Sequence, residues 1–418
     1  MIEHTGTSTT RADCLAWDRA EPLSAYRERF LLPEGVIYLD GNSLGALPVQ
    51  TPSAVESVIR REWGQGLIRS WNDAGWFAKP ELLGDLVAPL IGAGPGEVVI
   101  GESTSVSLFQ TLTAAVRLRP GRRVVVAEER AFPTDLYLLG SVQEIAGGLE
   151  RRLLGPDGTL DEILDEDVAV VLLSHVDYRT GRLHDMAAVT RQIHEAGALV
   201  VWDLCHSAGA VPIDLTAAEA DFAVGCTYKY LNAGPGSPSF LYVAPRHHET
   251  AAPPLTGWHG HADPFAFTVG YEPAPGIARF RIGTPPMLSL AALESTLRMW
   301  QEIDLAQVRV KSLALTDLFV GLVESTLGEW VSEIVVPRDH AARGSQVSLR
   351  VEGGYSVMQA LIERGVIGDF RAPDLMRFGF APLYLSATDV WDAVAVLGSI
   401  LESKSWQEPR YAVRNNVT

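Results

Sequence analysis

Residues 198–236 read ALVVWDLCHSAGAVPIDLTAAEADFAVGCTYKYLNAGPG, and the rest of the chain is interpreted around them. Two short apolar runs, residues 198–201 and 222–224, predict buried strands. Asp203 follows the first run and Lys229 follows the second. An open α/β sheet binds its ligand at the carboxyl ends of neighbouring strands. We therefore interpret Asp203 and Lys229 as residues of a binding site and not as packing residues.

A lysine and a carboxylate at one sheet edge fit a cofactor with an aldehyde and a ring nitrogen. Pyridoxal phosphate (PLP) is bound in this way, as a Lys Schiff base with an acidic partner at the pyridinium nitrogen. Alternatives remain open for each residue alone. Lys229 could be a surface lysine that packs its aliphatic stem, and His206 an ordinary buried histidine. Asp203 and His206 could ligate a metal, but no third ligand follows at a usable spacing, so we predict no metal.

Apolar runs alternate with helical segments through the middle of the chain. We predict strands at residues 98–101, 124–127, 149–154, 168–173 and 240–243, and helices at 82–91, at 185–196 and from the segment 102–105 to about 118. This alternation predicts an α/β fold with a large doubly wound, mostly parallel sheet. Further elements are a helix over 20–31, a long helix over 287–322 and a mixture of short strands and helices after it, which predicts a smaller α+β domain.

The predicted domains are an N-terminal segment (1–55) that joins the small domain, a large cofactor-binding domain (56–286) and the small domain (287–418). Residues 1 to about 12 are polar, and we expect them to form a frayed tail.

Candidate site residues stand at two predicted junctions between a strand and a helix. Ser103 and Thr104 begin the helix that follows residues 98–101, where they could cap the helix or help to bind an anion. Phe132 and Asp135, in AFPTD, stand at the next junction. Trp63, Trp71 and Trp76 are close in sequence. Such a cluster is typical of a core or an interface, and it could also form a wall for an aromatic substrate.

The overall composition excludes some functions. A net charge of −17 and a pI near 5.0 argue against a nucleic-acid partner, because binding phosphates requires clustered Lys and Arg. The three cysteines Cys14, Cys205 and Cys226 show no CxxC spacing, which indicates reduced thiols. No signal-peptide pattern and no apolar run of roughly 18–20 residues is present. We expect a cytoplasmic protein that does not bind membranes.

Seven segments of the chain resemble one known family. The segments YLDGNSLG, AFPTD, WDLCHSAGAVPIDL, YKYLNAGPG, GWHGH, RFRIGTPP and RFGFAPLY, between about Tyr38 and Tyr384, are similar to those of the kynureninases. That family belongs to the aspartate-aminotransferase fold group of PLP proteins. The resemblance implies hydrolysis of L-kynurenine to anthranilate and L-alanine, or of 3-hydroxykynurenine to 3-hydroxyanthranilate, in tryptophan catabolism and NAD biosynthesis.

The resemblance also implies a role for each matching residue. Lys229 would form the Schiff base and take the substrate Cα proton, and Asp203 would pair with the pyridine nitrogen. Arg377, in RFGFAPLY, would clamp the substrate α-carboxylate with its bidentate fork. Tyr228 would transfer protons, for which its pKa would have to be lowered from about 10. The other implied cofactor contacts are Ser103 and Thr104 at the phosphate, Phe132 stacked on the ring, Asp135 beside it, Ser174, His206, Trp258 and Thr284.

The fold further implies a homodimer with shared active sites, in which the partner subunit supplies Trp258 and Thr284. Some family members carry Asn where this chain has Thr284, so the preference between kynurenine and 3-hydroxykynurenine stays open.

Three rival functions can be weighed from the sequence. A cysteine desulfurase needs a reactive cysteine after the lysine, and all three cysteines precede Lys229. A non-catalytic, cofactor-binding regulator usually carries a basic DNA-binding module, which the short polar N-terminal tail does not supply. An aminotransferase of the same fold is the alternative that the residues alone leave open.

Overall fold

The computed structural model describes residues 9–415. Its strands are β1 (Phe30–Leu31), β2 (Ile37–Tyr38), β3 (Leu47–Pro48), β4 (Val98–Ile100), β5 (Val124–Glu128), β6 (Glu150–Leu154), β7 (Val168–Ser174), β8 (Leu199–Asp203), β9 (Phe222–Gly225), β10 (Phe240–Val243), β11 (Val331–Val335), β12 (Gln346–Val351), β13 (Val366–Ile367), β14 (Asp369–Arg371) and β15 (Leu375–Gly379). Its helices are α1 (Arg11–Ala20), α2 (Thr51–Ser57), α3 (Ser70–Asp73), α4 (Lys79–Val87), α5 (Thr104–Arg117), α6 (Pro133–Ala146), α7 (Met186–Glu195), α8 (Met287–Trp300), α9 (Leu305–Leu327), α10 (Gly354–Glu363) and α11 (Ala387–Ser403).

The large sheet has seven strands in the order β4-β10-β9-β8-β7-β5-β6. All its neighbours pair in parallel except β10, which is antiparallel to both β4 and β9. Strands β7, β8 and β9 are buried along their whole length, as expected when helices cover both faces of a parallel sheet. Two apolar clusters, one that includes Trp202 and Trp300 and another that includes Phe222 and Phe280, form the core. The prediction of a doubly wound, mostly parallel sheet is confirmed.

This topology brings the predicted site residues to one edge. Because β10 reverses direction against both of its neighbours, β4 points the same way as β9. The carboxyl ends of β4, β5, β7, β8 and β9 therefore meet at a single edge of the sheet, where open α/β sheets bind ligands. The segments that follow these ends carry the predicted cofactor contacts.

A second sheet has the order β11-β12-β15-β14, and all its pairs are antiparallel. The short strand β2 pairs in parallel with β13, so the N-terminal segment contacts the C-terminal part of the chain. The domain boundaries after residues 55 and 286 stay a prediction. No helix between residues 9 and 415 is both long and apolar enough to cross a membrane.

Three predicted elements were wrong. Residues 1–8 lie outside the described residues, but the expected tail does not reach residue 12, because Thr10 and Asp13 form a capping box that begins α1 at Arg11. Residues 20–31 form only a 3₁₀ turn, Ser24–Arg29, and then β1. The long helix over 287–322 is two helices, since Asp304 caps α9 by accepting from Ala306 N at 2.8 Å.

Candidate active site

A small cavity of about 220 Å³ lies at the carboxyl edge of the large sheet. It is smaller than the range of about 300–1,000 Å³ that is typical of drug-sized ligands, so it suits a compact ring. The predicted site residues that line it are Thr104, Phe132, Asp135, Ser174, Asp203, His206, Tyr228 and Lys229. The cavity thus brings together side chains from five separate segments of the chain.

Lys229 and Asp203 reach the cavity from adjacent strands. Asp203 ends β8 in register with Val224 of β9, and Lys229 follows shortly after β9. The Nζ atom of Lys229 lies 2.8 Å from Nε2 of His206. Burial, and then the charge of Lys229, lowers the pKa of His206 well below its ordinary value. His206 is therefore a neutral hydrogen-bonding partner for the lysine amine.

Two carboxyl groups share the cavity but differ in their hydrogen bonds. The Oδ1 atom of Asp203 accepts a hydrogen bond from Cys205 N at 2.8 Å. Asp135 is buried, and its Oδ2 has no hydrogen-bond partner among residues 9–415. Burial, and then the charge of Asp203, raises the pKa of Asp135 well above its ordinary value. The raised pKa favours a protonated Asp135, which carries an unsatisfied polar atom in the same cavity as Asp203.

The amino end of α5 supplies an anion site at one end of the cavity. Ser103 caps this 14-residue helix, and its Oγ accepts from Val106 N at 3.4 Å. Thr104 and Ser105, in the first turn, line the cavity, whereas Ser103 is exposed and does not. The free N–H groups and the dipole of a helix amino end favour a phosphate.

Aromatic side chains form another part of the wall. Phe132 is 39% exposed and packs edge-to-face on Tyr178, with the ring centroids 5.3 Å apart. The ring of Tyr228 lies beside the lysine, with Nζ 5.9 Å from its centroid. Burial raises the pKa of Tyr228, opposite to the lowering that efficient proton transfer would require. The Tyr228 hydroxyl is thus a proton donor in this state.

The GNSLG segment holds the lysine loop in place. Gly45 N donates to the carbonyl of Tyr228 at 2.7 Å. A Cβ atom at Gly45 would lie 2.2 Å from the carbonyl oxygen of Lys229. Only glycine therefore permits this close approach of the two backbones.

Arg377 lies outside the cavity lining and is almost completely buried. Its Nε donates to Oδ1 of Asp369 at 2.8 Å, and its Nη2 donates to Oδ2 of the same carboxylate. Its Nη1 donates to the carbonyl of Tyr178, a residue that does line the cavity, at 2.7 Å. The arginine is next to the cavity wall, but its fork is already paired with Asp369.

Trp258 and Thr284 do not reach the cavity of their own chain. Trp258 packs on Trp71, with the ring centroids 5.5 Å apart, and Trp71 packs on Trp76 at 6.1 Å. Thr284 is exposed, and so is Trp63, at 57%. Two of the three clustered tryptophans thus belong to an aromatic group around Trp258 that is separate from the cavity lining.

Comparison with known proteins agrees with the resemblance seen in the motifs. A family model described as the kynureninase C-terminal domain matches residues 308–397. A kynureninase of Pseudomonas fluorescens is 53% identical over 415 residues, which cover 98% of this chain and 100% of the relative. A kynureninase of Burkholderia pseudomallei (strain 1106a) is 53% identical over 414 residues, with the same coverage. The chain belongs to the kynureninase family.

Solved structures with a similar fold come from other enzymes. A cysteine desulfurase from Thermococcus onnurineus NA1 superposes with a TM-score of 0.78 at 21% identity, covering 91% of this kynureninase-family chain and 98% of its own. A C-DES variant with glycine covalently linked to its PLP cofactor gives a TM-score of 0.74 at 18% identity, covering 89% and 98%. Likeness at this level shows the fold alone, which is that of the aspartate-aminotransferase group.

Several residues of this kynureninase-family site were missed from the sequence. Tyr178 and Cys205 line the cavity, and Asp369 pairs with Arg377. Cys205 was noticed only as one of three thiols, although it follows Asp203 closely. Tyr178 lies beyond the end of β7, where a polar residue at a strand end was the available signal.

Proposed function

We propose that this protein hydrolyses L-kynurenine to anthranilate and L-alanine with PLP bound in the cavity. One observation carries the proposal. A lysine and two carboxyl side chains share a small cavity at the edge of the sheet, in a chain that is 53% identical to a kynureninase over almost its whole length. Turnover assays with kynurenine and with 3-hydroxykynurenine will show which substrate the protein prefers.

The residues of the cavity fit PLP by their chemistry. Lys229 is the amine for the aldehyde, and Asp203 is the carboxylate for the ring nitrogen. The amino end of α5, with Thr104, suits the phosphate. Asp135 carries a buried oxygen with no hydrogen-bond partner in the described part of the chain, which a polar substituent of a bound ring would satisfy. Phe132 offers an aromatic face to the same ring.

The roles of Lys229 and Arg377 follow from their surroundings. PLP, when bound, supplies an electron sink for the bonds around the substrate Cα. Lys229 is the base that moves the Cα proton, and neutral His206 beside it can hydrogen-bond Nζ without adding charge. Arg377 binds the substrate α-carboxylate from the cavity wall.

The C–C cleavage requires water and controlled proton delivery. Water adds to the side-chain ketone, the Cβ–Cγ bond breaks, anthranilate leaves, and the three remaining carbons leave as alanine. The carbanion at Cβ must gain one proton before alanine is released. We assign this donation to the Tyr228 hydroxyl because its ring lies beside Lys229 in the cavity. Burial raises its pKa and keeps the proton on the phenol, so efficient donation requires that the bound groups lower this pKa.

We also propose a homodimer in which the partner completes each site. The cavity lacks Trp258 and Thr284 of its own chain. Exposed apolar side chains such as Ile68 at 77% and Phe267 at 85% provide a surface that a second subunit can cover. Light scattering should give twice the 45.3 kDa chain mass, and a monomer that is fully active would contradict the proposal.

We propose that the protein is located in the cytoplasm, because a reducing compartment keeps its cysteines as free thiols. Cys14, Cys205 and Cys226 are all buried free thiols, as is usual for proteins of reducing compartments. Fractionation of the native cells tests this location.

The decisive experiment adds kynurenine to the PLP-loaded protein without any keto acid. We expect anthranilate fluorescence and an equal amount of alanine. Turnover that needs an added keto acid, without anthranilate, would instead identify an aminotransferase.

A further inference from the structure

The guanidinium of Arg377 has few free hydrogens. An arginine has five N–H donors. Nε donates to Asp369 Oδ1 at 2.8 Å, Nη2 donates to Asp369 Oδ2 and to Ser43 Oγ, and Nη1 donates to Tyr178 O at 2.7 Å. Among residues 9–415, these contacts occupy four donors and leave one hydrogen, on Nη1. A carboxylate that needs two parallel donors has no free edge to bind.

The charges around Arg377 still favour an anion. Asp369 also pairs with Arg371, whose Nη2 lies 2.6 Å from its Oδ2. Burial opposes ionisation of Asp369, but the charges of Arg377 and Arg371 hold its pKa below the ordinary value. Asp40, close by, is different, because burial and the charge of Asp369 raise its pKa to about 7. Two arginines thus face one full carboxylate, and a positive charge is left over.

The Nη1 end of the guanidinium is the end that contacts a residue of the cavity lining. Nη1 donates a hydrogen bond to the carbonyl of Tyr178, and Tyr178 lines the cavity. The opposite edge, Nε and Nη2, is held against Asp369 of the neighbouring strand β14. Asp369 therefore fixes which end of the arginine is available.

We propose that Asp369 is the positioning residue of the substrate-carboxylate site. It holds the Nε–Nη2 edge of Arg377, so that Arg377 receives the substrate α-carboxylate through Nη1 alone and not through its bidentate fork. This inference rests on the proposed function, since it requires a substrate that is an α-amino acid. It differs from the two-pronged clamp that the sequence predicted.

Asp369→Asn is the main variant, because the amide has nearly the same shape and can still accept one of the two hydrogen bonds. We expect KM for kynurenine to rise about 10- to 100-fold, the size of one lost hydrogen bond to a charged group. The kcat should stay within about threefold, because no reacting atom is touched. Asp374→Asn is the matched control, since Asp374 lies in the same hairpin but is half-exposed and pairs with Arg350. Its KM should equal that of the unmodified protein.

A binding measurement separates positioning from general damage. The substrate analogue that lacks the α-carboxylate should bind the Asp369→Asn variant and the unmodified protein equally well. An equal loss of affinity for the analogue and for kynurenine would overturn the proposal, because the damage would then not concern the carboxylate. An unchanged or lower KM would also overturn it, because the freed fork would then bind substrate at least as well.

A double-mutant cycle provides a second, independent test. With Arg377→Ala already present, Asp369→Ala should raise KM no further, because a positioning residue acts only through the group that it positions. Losses that multiply would contradict the proposal. Failure of the proposed function would be visible separately, as an unmodified protein that releases no anthranilate.

Discussion

The cavity and the arginine cluster (Arg377, Arg371, Asp369 and Asp40) are both buried and charged. Their carboxyl groups Asp135 and Asp369 are hydrogen-bonded to different degrees. In the cavity, Asp135 Oδ2 has no partner within residues 9–415, and in the same described range the Nζ of Lys229 hydrogen-bonds only the neutral His206. In the cluster, Asp369 binds Arg377, Arg371 and Ser43. Unsatisfied buried groups cost stability, so a cavity that retains one is built for a ligand. In the cluster, Asp40 Oδ1 and Arg371 Nε also lack partners among residues 9–415, but the Asp369–Arg377 pair is satisfied and holds one geometry in advance.

The GNSLG loop connects these two regions. Its Gly45 contacts the backbone of Tyr228, and its Ser43 bonds both Asp369 and Arg377. The distance between the lysine and the arginine is thus set by one short loop. Each prediction below changes one of the two regions or this connection.

The largest effect should come from Lys229→Ala. Lys229 serves both as the amine for the aldehyde and as the base at Cα, so turnover should fall about 10,000-fold or more, the upper range for loss of a general base. The absorbance of the bound cofactor near the visible edge should disappear. Lys404→Arg, far from the cavity, is the control and should leave both unchanged. A coloured and active Lys229→Ala protein would refute the assignment.

The two cavity carboxyls should respond differently to the same change. Asp203→Asn removes the charge that the ring nitrogen requires, and kcat should fall about 100- to 1,000-fold. Asp135→Asn should cost less than about tenfold, because burial already raises the pKa of Asp135 and keeps it neutral. Steady-state kinetics of both variants check this order, and equal losses would show that Asp135 is ionised.

Gly45→Ala should move the lysine loop and cost about 100-fold in kcat, the usual effect of misplacing a reacting group by about 1 Å. The added methyl group would meet the carbonyl oxygen of Lys229 at 2.2 Å. Gly155→Ala is the matched control, because a Cβ there meets nothing within 4 Å. Equal activity of the two variants would show that the GNSLG loop does not position Lys229.

The smallest effect concerns stability and pH in the arginine cluster. The pKa of Asp40 is about 7 in the folded protein but about 4 in an unfolded chain. The folded state therefore holds this proton more tightly, and its stability falls as the pH rises from about 4 through 7. Asn cannot ionise, so the Tm advantage of Asp40→Asn should grow from almost nothing at pH 4 to about 2–4 °C at pH 8. A Tm advantage of Asp40→Asn that does not change with pH would argue against a raised pKa of Asp40 in the folded protein.

The sequence predicted the cavity better than the cluster, for a physical reason. Asp203 and Lys229 follow apolar runs, and parallel strands end at a common edge, so local pattern and topology agree. The partner of Arg377 depends on strand register, because Asp369 stands opposite Arg377 across the pair β14–β15. The short strand β14 has no apolar run to reveal it. Periodicity alone also missed the break between α8 and α9, since apolar residues continue on both sides.

The most direct test of the central claim is to locate the cofactor on the chain. The chain has four lysines, of which Lys79 and Lys311 are paired with Glu294 and Glu21. Borohydride reduction of the PLP-loaded protein, followed by digestion and mass spectrometry, identifies the lysine that carries the ring. The account predicts a pyridoxyl group on the peptide that contains Lys229 and on no other. A label on Lys79, Lys311 or Lys404, with Lys229 unmodified, would contradict it.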